Sequence, residues 1–285
     1  MKIIFAGTPD FAVPSLQMLL ASRHEVCAVY TQPDRPAGRG RHKHASPVKE
    51  LALKCAIPVF QPLTLKTDED LQQLVSFNAD LMVVVAYGMI LTQALLDVPR
   101  LLMAGDEKTG VTIMQIVRKL DAGDMLHKEE CVIGANDTAS DLHDKLAELG
   151  ATALSKVLAQ MEAGTLRAEP QDESLVTYAE KLTKSEAIID WTQSASGIAL
   201  KVRGLNAWPV AQTFYQGNVL RIWQAEAIAT DTDLEPGTVS SLNKNMDVAT
   251  GKGLLRLHEV QLPGGKRMTA QAFLNAHHVN GVKLG

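Results

Sequence analysis

The stretch Asp80 to Ala86 (DLMVVVA) limits the possible folds of this chain more than any other segment. Its apolar residues run together with no polar alternation, and β-branched valines dominate them. Such a run is typical of a strand covered on both faces, which occurs mainly in parallel sheets flanked by helices. The sequence therefore predicts an α/β fold with this strand at the centre of the sheet.

The N-terminal segments fit the same architecture. Lys2 to Ala6 is a short apolar strand that ends in a Gly-Thr-Pro-Asp turn, and Pro14 then begins a helix with apolar residues at helical spacing. His24 to Thr31 is a second predicted strand. This order is the opening unit of a doubly wound sheet, whose ligands bind outside the carboxyl ends of the strands. One glycine is not a GxGxxG fingerprint, so no dinucleotide site is predicted.

The pattern changes in the last third of the chain. Glu169 to Lys184 has little periodicity and reads as a linker, and from Gly197 onward one helix is followed by short strands between glycine turns. That arrangement predicts a small β-barrel. We expect a first domain at 1–165, a linker at 166–190 and a second domain at 191–285.

The cysteines and the apolar runs narrow the class of protein. Cys27, Cys55 and Cys131 stand singly, without CxxC or Cys/His spacing, so we expect neither disulfides nor a metal site. The N-terminal apolar run is too short for a signal peptide, and no other run approaches membrane-spanning length. These features predict a cytoplasmic protein with no membrane partner.

Charge is unevenly distributed along the chain. Residues 191–285 carry 9 Lys and Arg against 6 Asp and Glu, whereas residues 1–190 carry 19 against 26. Within the acidic part, Arg35 to Lys49 contains five basic side chains and no acid. A long loop rich in proline and glycine is usually functional. A basic loop and a basic second domain indicate a polyanionic partner that touches both, although ordinary surface charge is the alternative.

A turn with two carboxylates follows the strand around Val111 to Gln115. Asp121 and Asp124 flank Ala122 and Gly123, between this strand and the next. An Asp in such a turn is most often structural, because its side chain accepts backbone N–H bonds and its backbone tolerates unusual dihedrals. The alternative is that a carboxylate at the end of a sheet strand transfers protons.

Six motifs, in order along nearly the whole chain, closely resemble the methionyl-tRNA formyltransferase family. They are AGTPDFAVPSL from Ala6, TQPDRPAGRG from Thr31, SPVK from Ser46, VVAYGMIL from Val84, LDAGDM around Asp121 and YAEKLTKSEAIIDW from Tyr178. The resemblance implies a Rossmann-like formyltransferase domain with a mainly parallel sheet, followed by a C-terminal OB-like β-barrel. It also implies a monomer that transfers a formyl group from 10-formyltetrahydrofolate to the amino group of methionyl initiator tRNA.

The resemblance assigns roles to particular residues. Asp121 corresponds to the carboxylate that takes part in proton transfer, while Asp124 keeps the structural role. The folate pocket would be lined by Tyr87, Gly88, Met89 and Ile90, largely through backbone groups. The basic loop would enter the acceptor end of tRNA through Arg35, Arg39, Arg41 and Lys43. No metal is implied.

The chain departs from the family pattern between Leu101 and Met103. The family has a strand there with an Asn-x-His pair, a Ser-Leu-Leu-Pro turn and a loop, and these residues supply oxyanion stabilisation. Two hypotheses follow. In the first, about 22 residues are missing from the numbering beside Leu101 and Leu102, and the Cα atoms of these two residues would then lie much further apart than about 3.8 Å. In the second, the chain is a catalytically impaired tRNA-binding homologue. A formyltransferase of a nucleotide sugar or a ribonucleotide is a further alternative.

Overall fold

The computed structural model describes residues 1–37, 42–65, 67–88, 93–230, 232–241 and 244–285. They form two compact units. One unit comprises Met1–Leu95, Gly110–Cys131 and His143–Thr177, and the other comprises Leu96–Thr109, Val132–Leu142 and Tyr178–Gly285. No helix in the described ranges combines the length and the apolar character needed to cross a membrane.

The first unit contains a four-stranded parallel sheet in the order β5-β2-β1-β6. Its strands are β1 (Lys2–Gly7), β2 (Glu25–Tyr30), β5 (Val59–Phe60) and β6 (Leu81–Val85). The helices between them are α1 (Val13–Ala21), α2 (Pro47–Lys54) and α3 (Asp68–Ser76). Alternate residues of β1 point to opposite faces, so Ile3 and Phe5 pack with Leu16 and Leu19 of α1 on one side, and Ile4 and Ala6 pack with Tyr30 on the other.

The position of β6 differs from the prediction that it is central. Among the described strands it pairs with β1 alone and forms one edge of the sheet, and Val84 is 39% exposed. The next two strands, β7 (Lys108–Met114) and β8 (Met125–Val132), form a separate two-stranded sheet. Because the parallel sheet is interrupted after β6, its most apolar strand lacks a described neighbour on one side.

The chain between these sheets is continuous. Helix α4 (Gln93–Ala104) runs through Leu101 and Leu102, and the N–H of Gly105 donates to the carbonyls of both, at 3.1 and 3.2 Å. No chain break is therefore present at Leu101 and Leu102 in the described structure. The helix also extends beyond Val98, with Pro99 inside it. Helix α5 (Ala139–Glu162) follows β8 and crosses Gly150 without interruption.

The second unit is built on an antiparallel sheet that forms a curled half-barrel, in the order β11-β12-β13-β10-β9 with β14 beside β13. The strands are β9 (Gln212–Tyr215), β10 (Asn218–Ile228), β11 (Val239–Ser240), β12 (Met246–Ala249), β13 (Leu254–Gln261) and β14 (Met268–Thr269). Helices α6 (Ala195–Gly204) and α7 (Ala270–Ala276) flank it. Ile198 and Val202 of α6 and Phe273 of α7 share one buried core with these strands. The small β-barrel expected after one helix is therefore present as a half-barrel, and α7 is a second helix that the sequence did not predict.

The segment Leu96–Thr109 packs within this second unit. Gly204 at the end of α6 has no room for a side chain, since a Cβ there would lie 2.8 Å from the carbonyl oxygen of Pro99. Arg100 donates to both carboxylate oxygens of Glu186, at 2.6 and 3.2 Å. The guanidinium of Arg100 holds the pKa of the Glu186 carboxyl below its usual range.

Candidate active site at the carboxyl edge of the parallel sheet

Polar residues follow directly after several strands of the parallel sheet, where their carboxyl ends meet. Thr8 follows β1, Thr31 follows β2 and Tyr87 follows β6 by two residues. The hydroxyl of Thr8 donates to the backbone carbonyl of Tyr87 at 2.7 Å and accepts from the N–H of Gln32 at 3.2 Å. The hydroxyl of Thr31 lies 2.7 Å from that of Ser46, the N-cap of α2. This edge is therefore held together by hydroxyl groups.

Three side chains form a closed ring beside these hydroxyls. The ammonium of Lys49 donates to Asp34 at 2.6 Å and to Gln61 at 2.7 Å, and the amide of Gln61 donates to Asp34 at 2.8 Å. The same amide donates to the backbone carbonyl of Gln32 at 2.7 Å. Lys49 and Asp34 are largely buried, with 19% and 26% of their side chains exposed. The ring joins the chain after β2 to α2 and to the chain after β5.

The basic segment is a two-stranded antiparallel ribbon where the structure describes it, rather than a loop. Strand β3 (Arg35–Ala37) pairs with β4 (His42–His44), so that Arg35 faces His44 and Pro36 faces Lys43. Arg35 is exposed and donates to the side chain of Gln32 at 3.3 Å. Arg39 and Arg41 lie outside the described residues.

Tyr87 and Gly88 lie at the end of β6, while Met89 and Ile90 lie outside the described residues. Gly88 has a φ of +86°, which strains any residue with a side chain. The hydroxyls of Tyr87 and Tyr30 are buried and have no hydrogen-bond partner among the described residues. Burial raises the pKa of Tyr87 and raises that of Tyr30 to about 12. Both phenols therefore stay protonated near neutral pH and do not act as bases.

Asp121 lies in the turn between β7 and β8, with a φ of 51°. The side-chain amide of Gln171 donates to the backbone carbonyls of Asp121 and Gly123, at 2.8 and 2.7 Å. The N–H of Gln115 closes the turn by donating to the carbonyl of Asp124 at 2.9 Å. The carboxylate of Asp121 receives no hydrogen bond from any residue in the described ranges. Thus the turn is held by backbone carbonyls, and this carboxylate is not used to build it.

The predicted site residues fall into two groups. Tyr87, Gly88 and Arg35 connect to one polar network, through Thr8 and Gln32. No hydrogen bond or ion pair between described residues joins Asp121 to that network. The described part of the chain also contains no group of three or more His, Cys, Asp or Glu side chains arranged to hold a metal ion.

Sequence reasoning missed the residues that build the network. Thr8, Thr31 and Lys49 lie within recognised motifs and Gln61 lies outside them, and none of the four was given a role. The available signal was their position, since Thr8, Thr31 and Gln61 each directly follow a strand of a parallel sheet. Ligands of open α/β sheets bind outside such strand ends.

Family comparisons agree with this two-part structure. The family model described as "Formyl transferase" matches residues 1–103 and 98–158, and that described as "Formyl transferase, C-terminal domain" matches residues 181–278. The methionyl-tRNA formyltransferase of Methylococcus capsulatus is 51% identical over all of both chains. This chain belongs to the methionyl-tRNA formyltransferase family. The corresponding protein of Hydrogenovibrio crunogenus is 49% identical over 100% of this chain and 99% of its own.

A solved structure supports the fold of this family member. An N-formyltransferase from Helicobacter canadensis, in complex with folinic acid and dTDP-3-aminofucose, matches with a TM-score of 0.65. The match covers 94% of this chain and 100% of the other, at 14% identity. At that identity the likeness shows the shared fold alone.

The comparisons also locate the departure from the family pattern. The alignment with the Methylococcus relative spans 307 positions against the 285 residues of this chain, so at least 22 of its positions have no counterpart here. The two matches to the "Formyl transferase" model meet at residues 98–103, inside α4. The family match therefore divides between β6 and β7, the two strands between which the parallel sheet is interrupted.

Proposed function

We propose that this protein transfers a formyl group from 10-formyltetrahydrofolate to the amino group of methionyl initiator tRNA. The observation that supports this most directly is the match at 51% identity to a methionyl-tRNA formyltransferase across both units of the chain. The proposed setting is a cytoplasmic monomer with tRNA and folate as its partners.

The reaction sets three chemical requirements. The attacking amine must be uncharged, the oxyanion that forms at the formyl carbon must be stabilised, and the excess proton must reach the departing folate nitrogen. We assign the proton transfer to Asp121. Its carboxylate accepts no hydrogen bond from the described residues, so it is available to a substrate N–H. Gln171 fixes the backbone on both sides of Ala122 and so restricts where that carboxylate reaches.

The folate co-substrate is assigned to the end of β6. Here Tyr87 and Gly88, followed by Met89 and Ile90, would meet it mainly through backbone groups. Gly88 supports this assignment because it leaves the backbone accessible and adopts a φ of +86°. Thr8 already holds the carbonyl of Tyr87, so this segment is fixed before a ligand arrives.

The tRNA is assigned to the ribbon and to the C-terminal residues 191–285, which carry 9 Lys and Arg against 6 Asp and Glu. The ribbon places the backbone of Arg35 opposite that of His44, and we propose that Arg35, Arg39, Arg41 and Lys43 meet phosphates of the acceptor end. Double-stranded RNA is recognised mostly through its shape and its phosphates, which suits exposed basic side chains. A formyltransferase of a small nucleotide substrate has no need for this charge, which favours the tRNA.

A second candidate function is tRNA binding with strongly reduced transfer. The specific observation in its favour is the interruption of the parallel sheet after β6, together with the 22 positions by which the alignment with the Methylococcus relative exceeds this chain. The resemblance to the family places oxyanion-stabilising groups in that segment. Loss of one such donor costs about 10² to 10³ in turnover, so a slow enzyme is expected rather than an inert one.

Two measurements on the same purified protein separate these functions. Filter binding of initiator methionyl-tRNA tests the tRNA site, and acid-gel analysis of the tRNA after incubation with 10-formyltetrahydrofolate tests transfer. Binding with transfer supports the proposed function. Binding without transfer supports the second candidate, and transfer to a dTDP-amino sugar instead of tRNA contradicts both.

A further inference from the structure

The ribbon of β3 and β4 is attached to the sheet edge by side chains that the proposed function does not use. Only three residue pairs join its two strands among the described residues. A two-stranded ribbon is marginally stable in water without further support. Its orientation must therefore be set by the residues that precede β3 and follow β4.

The support for the incoming strand is the ring of Lys49, Asp34 and Gln61. Asp34 immediately precedes β3, and both of its carboxylate oxygens are held, one by Lys49 at 2.6 Å and one by Gln61 at 2.8 Å. Gln61 also fixes the carbonyl of Gln32 at 2.7 Å. Two acceptors just before the ribbon, the carbonyl of Gln32 and the carboxylate of Asp34, are thus both held by one neutral amide.

The outgoing strand is held by the same helix. Ser46, two residues after β4, caps α2 by accepting from the N–H of Lys49 at 3.1 Å, and its hydroxyl lies 2.7 Å from that of Thr31. Lys49 therefore connects to both ends of the ribbon, through its ammonium and through its backbone. Helix α2 is anchored in turn by its buried residues Val48 and Ala52.

We propose that Lys49, Asp34 and Gln61 are positioning residues for tRNA, which orient the basic ribbon without contacting the nucleic acid themselves. This inference rests on the proposed tRNA site. If the ribbon moved freely, it and its arginine side chains would lose conformational entropy when tRNA bound. A ribbon that is already held in one orientation loses less, so tRNA binds more tightly. The ring therefore favours binding of tRNA by fixing the orientation of the ribbon.

The variant Gln61→Leu tests this most sharply because it changes no charge. A neutral side chain releases no counterion of its own, so any loss of salt-dependent binding must act through other, charged groups. We expect Gln61→Leu to raise the Kd for initiator methionyl-tRNA about tenfold and to flatten the dependence of log Kd on log salt concentration. Gln73→Leu, at an exposed position of α3, is the matched control and leaves both quantities unchanged.

A second pair of variants tests the ammonium. Lys49→Met removes the charge inside the ring, and Lys54→Met removes the same charge from the exposed end of the same helix. We expect the first to weaken tRNA binding about tenfold and the second to change it less than twofold. Lys49→Arg keeps a cationic donor and restores part of the affinity.

Hydrogen exchange of the free protein keeps this inference separate from the proposed function. Gln61→Leu is expected to speed the exchange of the ribbon amides of Arg35, Ala37 and residues 42–44 at least tenfold, with the strands of the sheet unchanged. Unchanged exchange in the ribbon, or an unchanged Kd and salt slope for Gln61→Leu where the parent protein binds tRNA, overturns the inference. Absence of tRNA binding by the parent protein contradicts the proposed function, while the exchange result still decides whether the ring holds the ribbon.

Discussion

Asp121 combines a left-handed backbone with a carboxylate that the described protein groups leave unused. The φ of 51° is one that Asp tolerates better than most residues, which explains part of its suitability for the turn. The turn is otherwise held through carbonyls by Gln171 and Gln115. The identity of the side chain is therefore better explained by chemistry than by support of the turn.

The variant Asp121→Asn keeps the shape and the backbone preference but removes the titratable group. We expect turnover to fall at least about a hundredfold, the scale of a positioned acid/base group, while the melting temperature changes little. Formyl transfer measured at saturating substrates checks this. Asp124→Asn, on the other side of the same turn, is the control and retains turnover within a few fold. Equal turnover of Asp121→Asn and the parent protein would return Asp121 to a structural role.

Gly123 fixes how closely the turn approaches β7. A Cβ at this position would lie 1.8 Å from the carbonyl oxygen of Gln115, far inside contact distance, and the obstacle is backbone. We expect Gly123→Ala to open the turn and to lower turnover together with the melting temperature. Thermal unfolding with a transfer assay checks this, and a variant with parental values for both would contradict the close approach described here.

The local sequence patterns predicted well which residues form strands, but they predicted less well the order of the strands in the sheet. The strand predicted at Lys2 to Ala6 is β1 at Lys2–Gly7, and the apolar run after Asp80 is β6. Each was evident from a few adjacent residues. The edge position of β6 was not predicted, because it depends on a segment that this chain lacks. The ring of Lys49, Asp34 and Gln61 escaped prediction because its members come from three segments with no shared periodicity.

The ribbon was expected to be a loop because its proline, glycine and arginine residues carry no strand pattern. The proposed role of the ribbon in tRNA binding can be tested at Arg39 and Arg41, which lie outside the described residues. Replacing Arg39 and Arg41 together by Ala is expected to weaken the binding of initiator tRNA and to flatten its salt dependence by about two phosphate contacts. Filter binding across a salt series checks this. Replacement of Lys54 and Lys145 by Ala removes two charges elsewhere and is the control, and an unchanged slope for the arginine pair would make Arg39 and Arg41 ordinary surface residues.

Helix α5 offers a prediction about stability alone. Gly150 lies inside this 24-residue helix, and a Cβ there would meet nothing within 4 Å. Alanine restricts the unfolded chain more than glycine and suits a helix better, so Gly150→Ala is expected to stabilise the protein by about 0.5 to 1 kcal/mol. Denaturant unfolding checks the value. No stabilisation, or a loss, would mean that the helix is not regular at this point.

At the scale of the whole molecule, the main feature is a formyltransferase fold with its parallel sheet interrupted after β6. The sequence located the departure at Leu101 and Leu102, and the family match divides at residues 98–103. The alignment with the Methylococcus relative has 22 positions more than this chain, the number that the family pattern predicted, and α4 passes through both residues without a break. What the sequence could not predict was how the remaining chain accommodates the loss, with β7 and β8 forming a sheet of their own.

This feature predicts the effect of restoring the segment. Insertion between Leu101 and Leu102 of the stretch that the Methylococcus relative has in the gap is expected to raise turnover about 10² to 10³-fold, the value of a regained oxyanion donor. An insertion of equal length made of Gly and Ser is the control and is expected to give no increase. The transfer rate at saturating substrates checks both. Equal rates for the two insertions would mean that the absent segment does not limit catalysis.

We propose that the chain of 285 residues is an active methionyl-tRNA formyltransferase without the segment that its relatives have. The most direct test is a single-turnover experiment, in which excess protein is mixed with initiator methionyl-tRNA and 10-formyltetrahydrofolate and the formation of formylmethionyl-tRNA is followed with time. We predict exponential formation of the product, at a rate at least about a hundredfold above that of Asp121→Asn. No formation of formylmethionyl-tRNA above that of a protein-free control, with tRNA shown to be bound, would contradict the claim.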